Sequence, residues 1–346
     1  MNANAPHIID FDMNPDVDLA RLVYTFGGAA PVTTIRPGEV LRTSTLDCFG
    51  GRISSTSDLV SQVCDPRFLN PQTGPFYVEG AEPGDTLALH FVSIEPTFTY
   101  GFSTTVPFFG ALTATHSTEM LHAALPEKTW RYELDLRDRL VRYEALDSTF
   151  TADLPLDPMH GTVGVAPALN EVRSSLAPGD WGGNMDTPEM RAGVTCYLGV
   201  NAPGALFSIG DGHARQGEGE TCGVAVECAM DTVLIVDLIK GYPTAWPRLE
   251  SDEFLMTTGS TKPLEDAFRI SHVQMTRWVA ELTGLSELDA YQLLSQVSLS
   301  PVAQVVDTVY TMVSKFPKSV LAGRSAMNGT HAKLRAAAAA LVASSQ

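Results

Sequence analysis

Pro-Gly turns set immediately before short apolar runs do most to limit the folds open to this chain. Arg36-Pro37-Gly38-Glu39-Val40 and Glu82-Pro83-Gly84-Asp85-Thr86 share one punctuation: Pro-Gly, an acid, then a strand-like run. Proline presets φ for the turn and glycine supplies the positive φ, so the chain reverses and a new strand begins. The runs that follow, Val40-Leu41-Arg42-Thr43 and Thr86-Leu87-Ala88-Leu89-His90-Phe91-Val92, are short and apolar or alternating. Further on, Trp130, Tyr132, Leu134 and Leu136 alternate with Arg131, Glu133, Asp135 and Arg137, the period of a half-buried strand with a solvated charged face. Strand-like text resumes at Val194-Thr195-Cys196-Tyr197-Leu198-Gly199-Val200, at Ala205-Leu206-Phe207-Ser208-Ile209, and over residues 224–230 and 233–237. The expected fold class is mainly β, a sandwich or jelly-roll-like set of sheets.

After Pro263 the apolar period becomes helical. One helix is expected to run to Leu282, a second to start from a Ser286 cap and run through Leu293, and the alanine-rich residues 328–345 to form a terminal helix or frayed tail. Residues 1–262 therefore read as a β-rich region carrying the chemistry, one unit or two interlocked subdomains, and 263–346 as a helical segment packed on it.

Charge and cysteine usage narrow the function. Forty acids against 23 basic residues give a formal charge of −17, which repels a phosphate backbone or an anionic membrane surface, so neither nucleic acid nor membrane is an expected partner. No apolar stretch is long enough to span a bilayer. Cys48, Cys64, Cys196, Cys222 and Cys228 form no CxxC pair and read as reduced thiols. Residues 1–18 carry Asp10, Asp12, Asp16 and Asp18 without a basic or apolar leader segment, so the expectation is a cytoplasmic protein.

The chemistry-bearing residues fall in clusters. Ser208-Ile209-Gly210-Asp211-Gly212-His213-Ala214-Arg215-Gln216-Gly217-Glu218-Gly219-Glu220 sets glycines, carboxylates and an imidazole in what reads as a strand-to-strand connection. It reads equally as a solvated glycine-rich loop or as a site. Pro178-Gly179-Asp180-Trp181-Gly182-Gly183-Asn184-Met185-Asp186 offers glycines whose N–H groups can approach a ligand and an acid able to bind a metal or orient a histidine. As a structural element it is a β-turn with an Asx cap. His160, beside Gly161-Thr162-Val163-Gly164, is a weaker candidate than His213, because a lone histidine is more often a satisfied structural group.

Taken in order, these clusters together with Thr73-Gly74-Pro75-Phe76-Tyr77-Val78-Glu79-Gly80-Ala81-Glu82-Pro83-Gly84-Asp85-Thr86-Leu87 resemble the acetamidase/formamidase family. The resemblance runs from about Pro31 to the helices near Leu321. Where many relatives carry a His-Trp-Gly-like string, this chain reads Val23-Tyr24-Thr25-Phe26-Gly27-Gly28. The resemblance implies jelly-roll-like sheets, a homo-oligomer and hydrolysis of a short aliphatic amide, in some members with zinc or a similar divalent ion. Asp47, in Thr45-Leu46-Asp47-Cys48-Phe49-Gly50-Gly51, falls where the family tends to carry an acid before a glycine pair.

On that resemblance Asp47, Asp186 and His213 are the expected ligands of the ion. Glu218 or Glu220 is the expected general base, with Asp211 beside them. Gly182, Gly183, Asn184 and His160 are assigned to the substrate and its oxyanion. A nucleophilic cysteine at Cys48 or Cys222 is a weaker mechanism. A cyclic amide, a carbamate or a larger amide is the alternative substrate, and a non-catalytic small-molecule binder is the alternative function.

Overall fold

The computed structural model describes residues 7–11, 22–113, 121 and 123–344; most of the acidic stretch 1–18, and Ser345 at the end of the expected terminal helix, lie outside them. Two large sheets dominate. The first has nine strands, in spatial order Ile8–Phe11, Val40–Thr45, Met230–Ile239, Thr86–Pro96, Thr195–Gly199, Arg248–Glu250, Phe254–Thr261, Tyr310–Pro317 and Val302–Gln304. The second has ten, and Phe207–Arg215 lies at its centre, flanked by Met159–Gly164 on one side and by Gln72–Val78 and Val226–Glu227 on the other. The mainly β expectation holds, and the region 263–346 supplies helices together with strands Val302–Gln304 and Tyr310–Pro317, which extend the first sheet.

The sheets pack face to face. Leu87, Leu89, Phe91, Leu234 and Val236 from the first meet Phe76, Val78, Val163, Phe207 and Ile209 from the second in one buried cluster. The intervening residues Ala88 and Ile235 point the other way, into a second cluster with Met275, Trp278, Val279, Leu294 and Leu334 from the helices. Period-two alternation thus sends neighbouring residues to opposite faces, both of them buried, which is why these strands read as nearly continuous apolar runs.

Helix Leu264–Thr283 shows how closely the second layer seats. It buries Ala267, Ser271, Met275, Trp278 and Val279, an i, i+4, i+8 and i+11 or i+12 face, and ends on Gly284 in the left-handed conformation at φ 76°. Ser286 caps the next helix, Glu287–Val297, by accepting from the Asp289 N–H. Against the first of these helices lies Gly259 of strand Phe254–Thr261, where a Cβ would strike the Ala267 carbonyl oxygen and stand 2.7 Å from the Ser271 nitrogen. The helix backbone has taken the space of a side chain. Among the described residues no helix is long and apolar enough to cross a membrane.

A buried polar chain ties the sheet to helix Thr330–Ser344. His90 Nδ1 lies 2.8 Å from Thr195 Oγ1, which lies 2.9 Å from His331 Nδ1, and His331 Nε2 is 3.2 Å from Asp252. Burial, aided by His331 and Arg335 and opposed by Asp252, lowers His90 to about 4.

Two outcomes are expected. Gly259→Ala should cost about 1–3 kcal/mol by overpacking, read as a lower urea midpoint; an unchanged midpoint would show that the helix lifts freely. A histidine held below its ordinary value stabilises fully above 6.5 and progressively less as pH falls toward about 4. The native chain should therefore lose more stability than a His90→Gln variant across that window, and parallel unfolding curves would refute the assignment.

Candidate active site

Of the glycine-rich cluster at 208–220, expected as a connection, residues 208–215 belong to the central strand Phe207–Arg215 itself. Its glycines serve close packing: a Cβ on Gly210 would meet the Gln72 side-chain amide, and one on Gly212 the Cys228 carbonyl oxygen. Within the strand Asp211 takes a left-handed conformation, φ 57°. Phe207, Ile209 and Ala214 all join the main core, whereas strict alternation would place residue 213 there in place of 214. The irregularity at Asp211 thus turns the His213 imidazole out of the core and into a cavity of about 260 Å³.

Five buried carboxylates line that cavity with His213: Asp186, Asp211, Glu220, Glu227 and Asp307. Asp186 and Glu220 are also left-handed, with φ 45° and 44°. Such strain costs on the order of 1–3 kcal/mol per residue and persists where the surroundings over-determine it, as at functional sites. At Glu220 the twist has a visible result. Residues two apart share a face in a regular strand, but Gly219 (φ 85°) and Glu220 break the alternation, so Glu220 enters the cavity while Glu218 stays exposed near Glu189, Arg191 and Lys315.

Gly161 sits where three of these side chains converge. A Cβ there would collide with Asp186 Oδ1 and lie 2.6 Å from Asp211 Oδ2 and 2.9 Å from His213 Cε1. The missing side chain is the space in which the acids meet.

Gln216 decides the histidine tautomer. Its Nε2 donates to the carbonyl oxygens of Asp186 at 2.6 Å and Ala303 at 3.0 Å, so its Oε1 is the acceptor facing His213 Nδ1 at 2.9 Å. Nδ1 therefore carries a proton, and Nε2 faces Asp211 Oδ1 at 3.4 Å and Glu227 Oε1 at 3.2 Å. A second polar chain runs beside the acids: Asn70 Nδ2 donates to Asn184 Oδ1 at 3.0 Å, and Asn184 Nδ2 donates to Asp307 Oδ2 at 2.8 Å.

The electrostatics follow from crowding acids in a dry space. Burial, then Glu220, Asp307 and Asp211, push Asp186 well above the ordinary carboxylate range; burial does the same to Glu220 despite His213. Burial raises both Glu227 and Asp307 to about 7. It would raise Asp211 as well, but His213 and the Thr162 hydroxyl hold that acid below its usual value. Burial works against a charge on His213, yet Glu227 and Asp211 outweigh it and raise its pKa well above the ordinary value.

The donor set fits a divalent cation. Asp186 Oδ1, Asp186 Oδ2 and Glu227 Oε2 are buried with no hydrogen-bond partner. Among the described residues, Asp186, His213 and Glu220 offer ligand atoms all within 4.8 Å of one another, and Cys48, Asp211 and Glu227 form an adjoining group. One imidazole among carboxylates suits zinc and similar ions better than calcium or magnesium, which prefer oxygen throughout.

Asp186, Asp211, His213, Glu220 and Asn184, all anticipated, are therefore brought together. Asp47 is not: its Oδ1 accepts from the N–H groups of Phe49 at 3.0 Å and Gly51 at 2.8 Å, holding the turn from which its neighbour Cys48 reaches the cavity. Burial raises Asp47 to about 6. His160 lies behind the wall, with Nδ1 donating to the Gly210 carbonyl at 3.0 Å and Nε2 accepting from Thr232 at 2.8 Å, so both ring nitrogens are engaged. Gly182 and Gly183 do not line the cavity, and the Gly182 N–H is spent on the Gly179 carbonyl. Glu227 and Asp307 escaped the sequence reading, although each is a lone acid in an apolar run, Val224-Ala225-Val226-Glu227-Cys228-Ala229-Met230 and Val305-Val306-Asp307-Thr308-Val309. That isolation was the available signal.

The model of the acetamidase/formamidase family matches residues 28–170 and 104–314. Among solved structures, an acetamidase from Yersinia enterocolitica is 40% identical, with a TM-score of 0.85 over 92% of this chain and 94% of that one. An acetamidase from Bacillus halodurans is 30% identical, with a TM-score of 0.80 over 91% and 99%. A formamidase from Methylophilus methylotrophus is 27% identical over 60% of this chain and 61% of its own length. The chain spans about three-fifths of the length of the curated relatives it matches. With matches to both the family model and these full-length folds, the chain belongs to the acetamidase/formamidase family.

Proposed function

We propose that this protein hydrolyses the C–N bond of a small amide to a carboxylic acid and ammonia, with a divalent ion held by Asp186, His213 and Glu220. The observation that carries this reading is the buried acid and imidazole cluster at the wall of a small-molecule-sized cavity, with carboxylate oxygens that no donor reaches. The relatives' names, acetamidase and formamidase, support the reaction class.

An amide carbonyl is a poor electrophile, so its hydrolysis near neutral pH needs an activated water, a stabilised oxyanion and an acid for the departing nitrogen. A bound divalent ion, zinc in this reading, would lower the pKa of water to about 7 and polarise the carbonyl. The remaining work falls to the chain. Gln216 keeps His213 Nε2 turned to the acids through the proton on Nδ1. Glu227, which lines the cavity with an unpartnered Oε2, accepts a proton from water as the new C–O bond forms. It returns that proton to the nitrogen as the C–N bond breaks, so one water is consumed and one ammonia released. Asn184 holds Asp307 in place. This assignment moves the base from Glu218 or Glu220 to Glu227 and replaces Asp47 by Glu220 as a ligand. A cytoplasmic setting, supported by free cysteines at all five positions, and a homo-oligomeric assembly belong to the same proposal.

Metal analysis of the purified protein, paired with ammonia release from a panel of amides, tests the reading. Bound divalent ion and chelator-sensitive ammonia release are expected. No turnover on any amide, with or without added ion, would favour the non-catalytic binder. His213→Ala should abolish turnover and leave the circular dichroism spectrum unchanged; retained activity with a normal ion content would reject the role of the imidazole. Gly161→Ala, which replaces no ionisable group, should also remove ion and activity, because its methyl takes the place where Asp186 and Asp211 meet. Gln216→Leu should lower ion affinity about 10–100-fold, and an unaltered ion titration would count against the tautomer argument.

A further inference from the structure

The cavity has two chemically distinct ends. Besides the acids, Phe49, Val60, Leu69, Val106, Phe109 and Val224 line the space, and they belong together to one apolar cluster separate from the main core. Gly223 lets this wall close up, since a Cβ there would stand 2.6 Å from Phe109 Cδ1. A further cavity of about 150 Å³ lies beyond, sharing Val106 and Phe109 as its boundary.

Size and polarity disagree with the smallest amides. At a liquid share of about 30 Å³ per water-sized group, acetamide's four heavy atoms account for roughly 120 Å³ at most and the ion with its water for about 60 Å³ more, which leaves about 80 Å³ unfilled of the 260 Å³ present. The remainder faces side chains that offer no hydrogen bond, so water left there would lose partners, whereas apolar carbon would be buried favourably. We infer that the amide taken here carries a compact apolar group of ring size on its carbonyl carbon, with the amide at the acid cluster and the ring against Phe49, Val60, Leu69 and Val106. This rests on the hydrolase reading above and adds the substrate class to it. With the ion and its water set aside roughly 200 Å³ is left, and since covalently bonded atoms each take less than a free water's share, that space admits the nine heavy atoms of benzamide or cyclohexanecarboxamide. Phe109 and Val106 bound the ring and set its maximum length.

The test compares acetamide with benzamide and cyclohexanecarboxamide on the ion-loaded full chain, by ammonia release and by ligand-induced shift of the melting temperature. A single methylene in an apolar pocket discriminates by about 10–200-fold, so kcat/KM for the ring amides should exceed that for acetamide at least about 100-fold. Equal values, or a preference for acetamide, overturn the inference and leave the hydrolase intact. A larger melting shift with the ring amides but no ammonia from any amide supports the apolar end and overturns hydrolysis; no difference in shift overturns the apolar end as well. Val106→Phe should cut the ring-to-acetamide ratio at least about tenfold, and Leu69→Phe serves as a second obstruction should the first variant fail to fold. Ratios unchanged in a folded variant would refute the placement of the ring.

Discussion

Five carboxylates held out of water around one imidazole are the constraint from which the rest of this structure follows. Two like charges 4 Å apart repel by about 4 kcal/mol at an effective dielectric of 20, so a group of this size cannot stay ionised on its own. Protons or a cation must enter. In the absence of an ion, burial pushes Asp186, Glu220, Glu227 and Asp307 toward their neutral forms, and His213 is drawn toward the imidazolium by Glu227 and Asp211. A divalent ion would answer the same field with fewer compromises, since it satisfies oxygens that no donor reaches.

Holding such a cluster requires a rigid frame. The sandwich provides it by burying the first sheet on both faces, one against the second sheet and the other against the helices. The acids then come from segments far apart in the chain: the stretch after Gly182–Asn184, the central strand, the turn at 219–220, strand Val226–Glu227 and the loop before Tyr310–Pro317. Left-handed residues at 186, 211 and 220 re-aim three of them. Local strain is tolerable because the surrounding ladders and the packed core outweigh it.

Much of the fold was legible because periodicity and turn chemistry are local. The runs at 40–43 and 86–92, the helix after Pro263 and the Ser286 cap all stand where the pattern put them, and the alternation from Trp130 holds through Leu134, whereas Leu136 falls in the exposed turn after the strand. The site was legible in part. Asp186, Asp211, His213 and Glu220 sit in motifs dense enough in glycine and ionisable groups to be noticed. Asp47 and His160 sit in equally suggestive motifs, yet their polar atoms are committed to a turn, a backbone carbonyl and a threonine. Glu227 and Asp307 lie in apolar strings where a single acid is easily passed over.

What the amino-acid order determined by itself was the kind of element, through period two, period 3.6 and the φ demands of proline and glycine, and the inventory of groups able to do chemistry. Tertiary structure alone decided which of those groups share a cavity. A side chain's direction depends on the twist of the backbone beneath it, as at Asp211 and Glu220, and the company it keeps depends on strands distant in sequence. Burial then decides its charge, and no reading of a single segment contains that information.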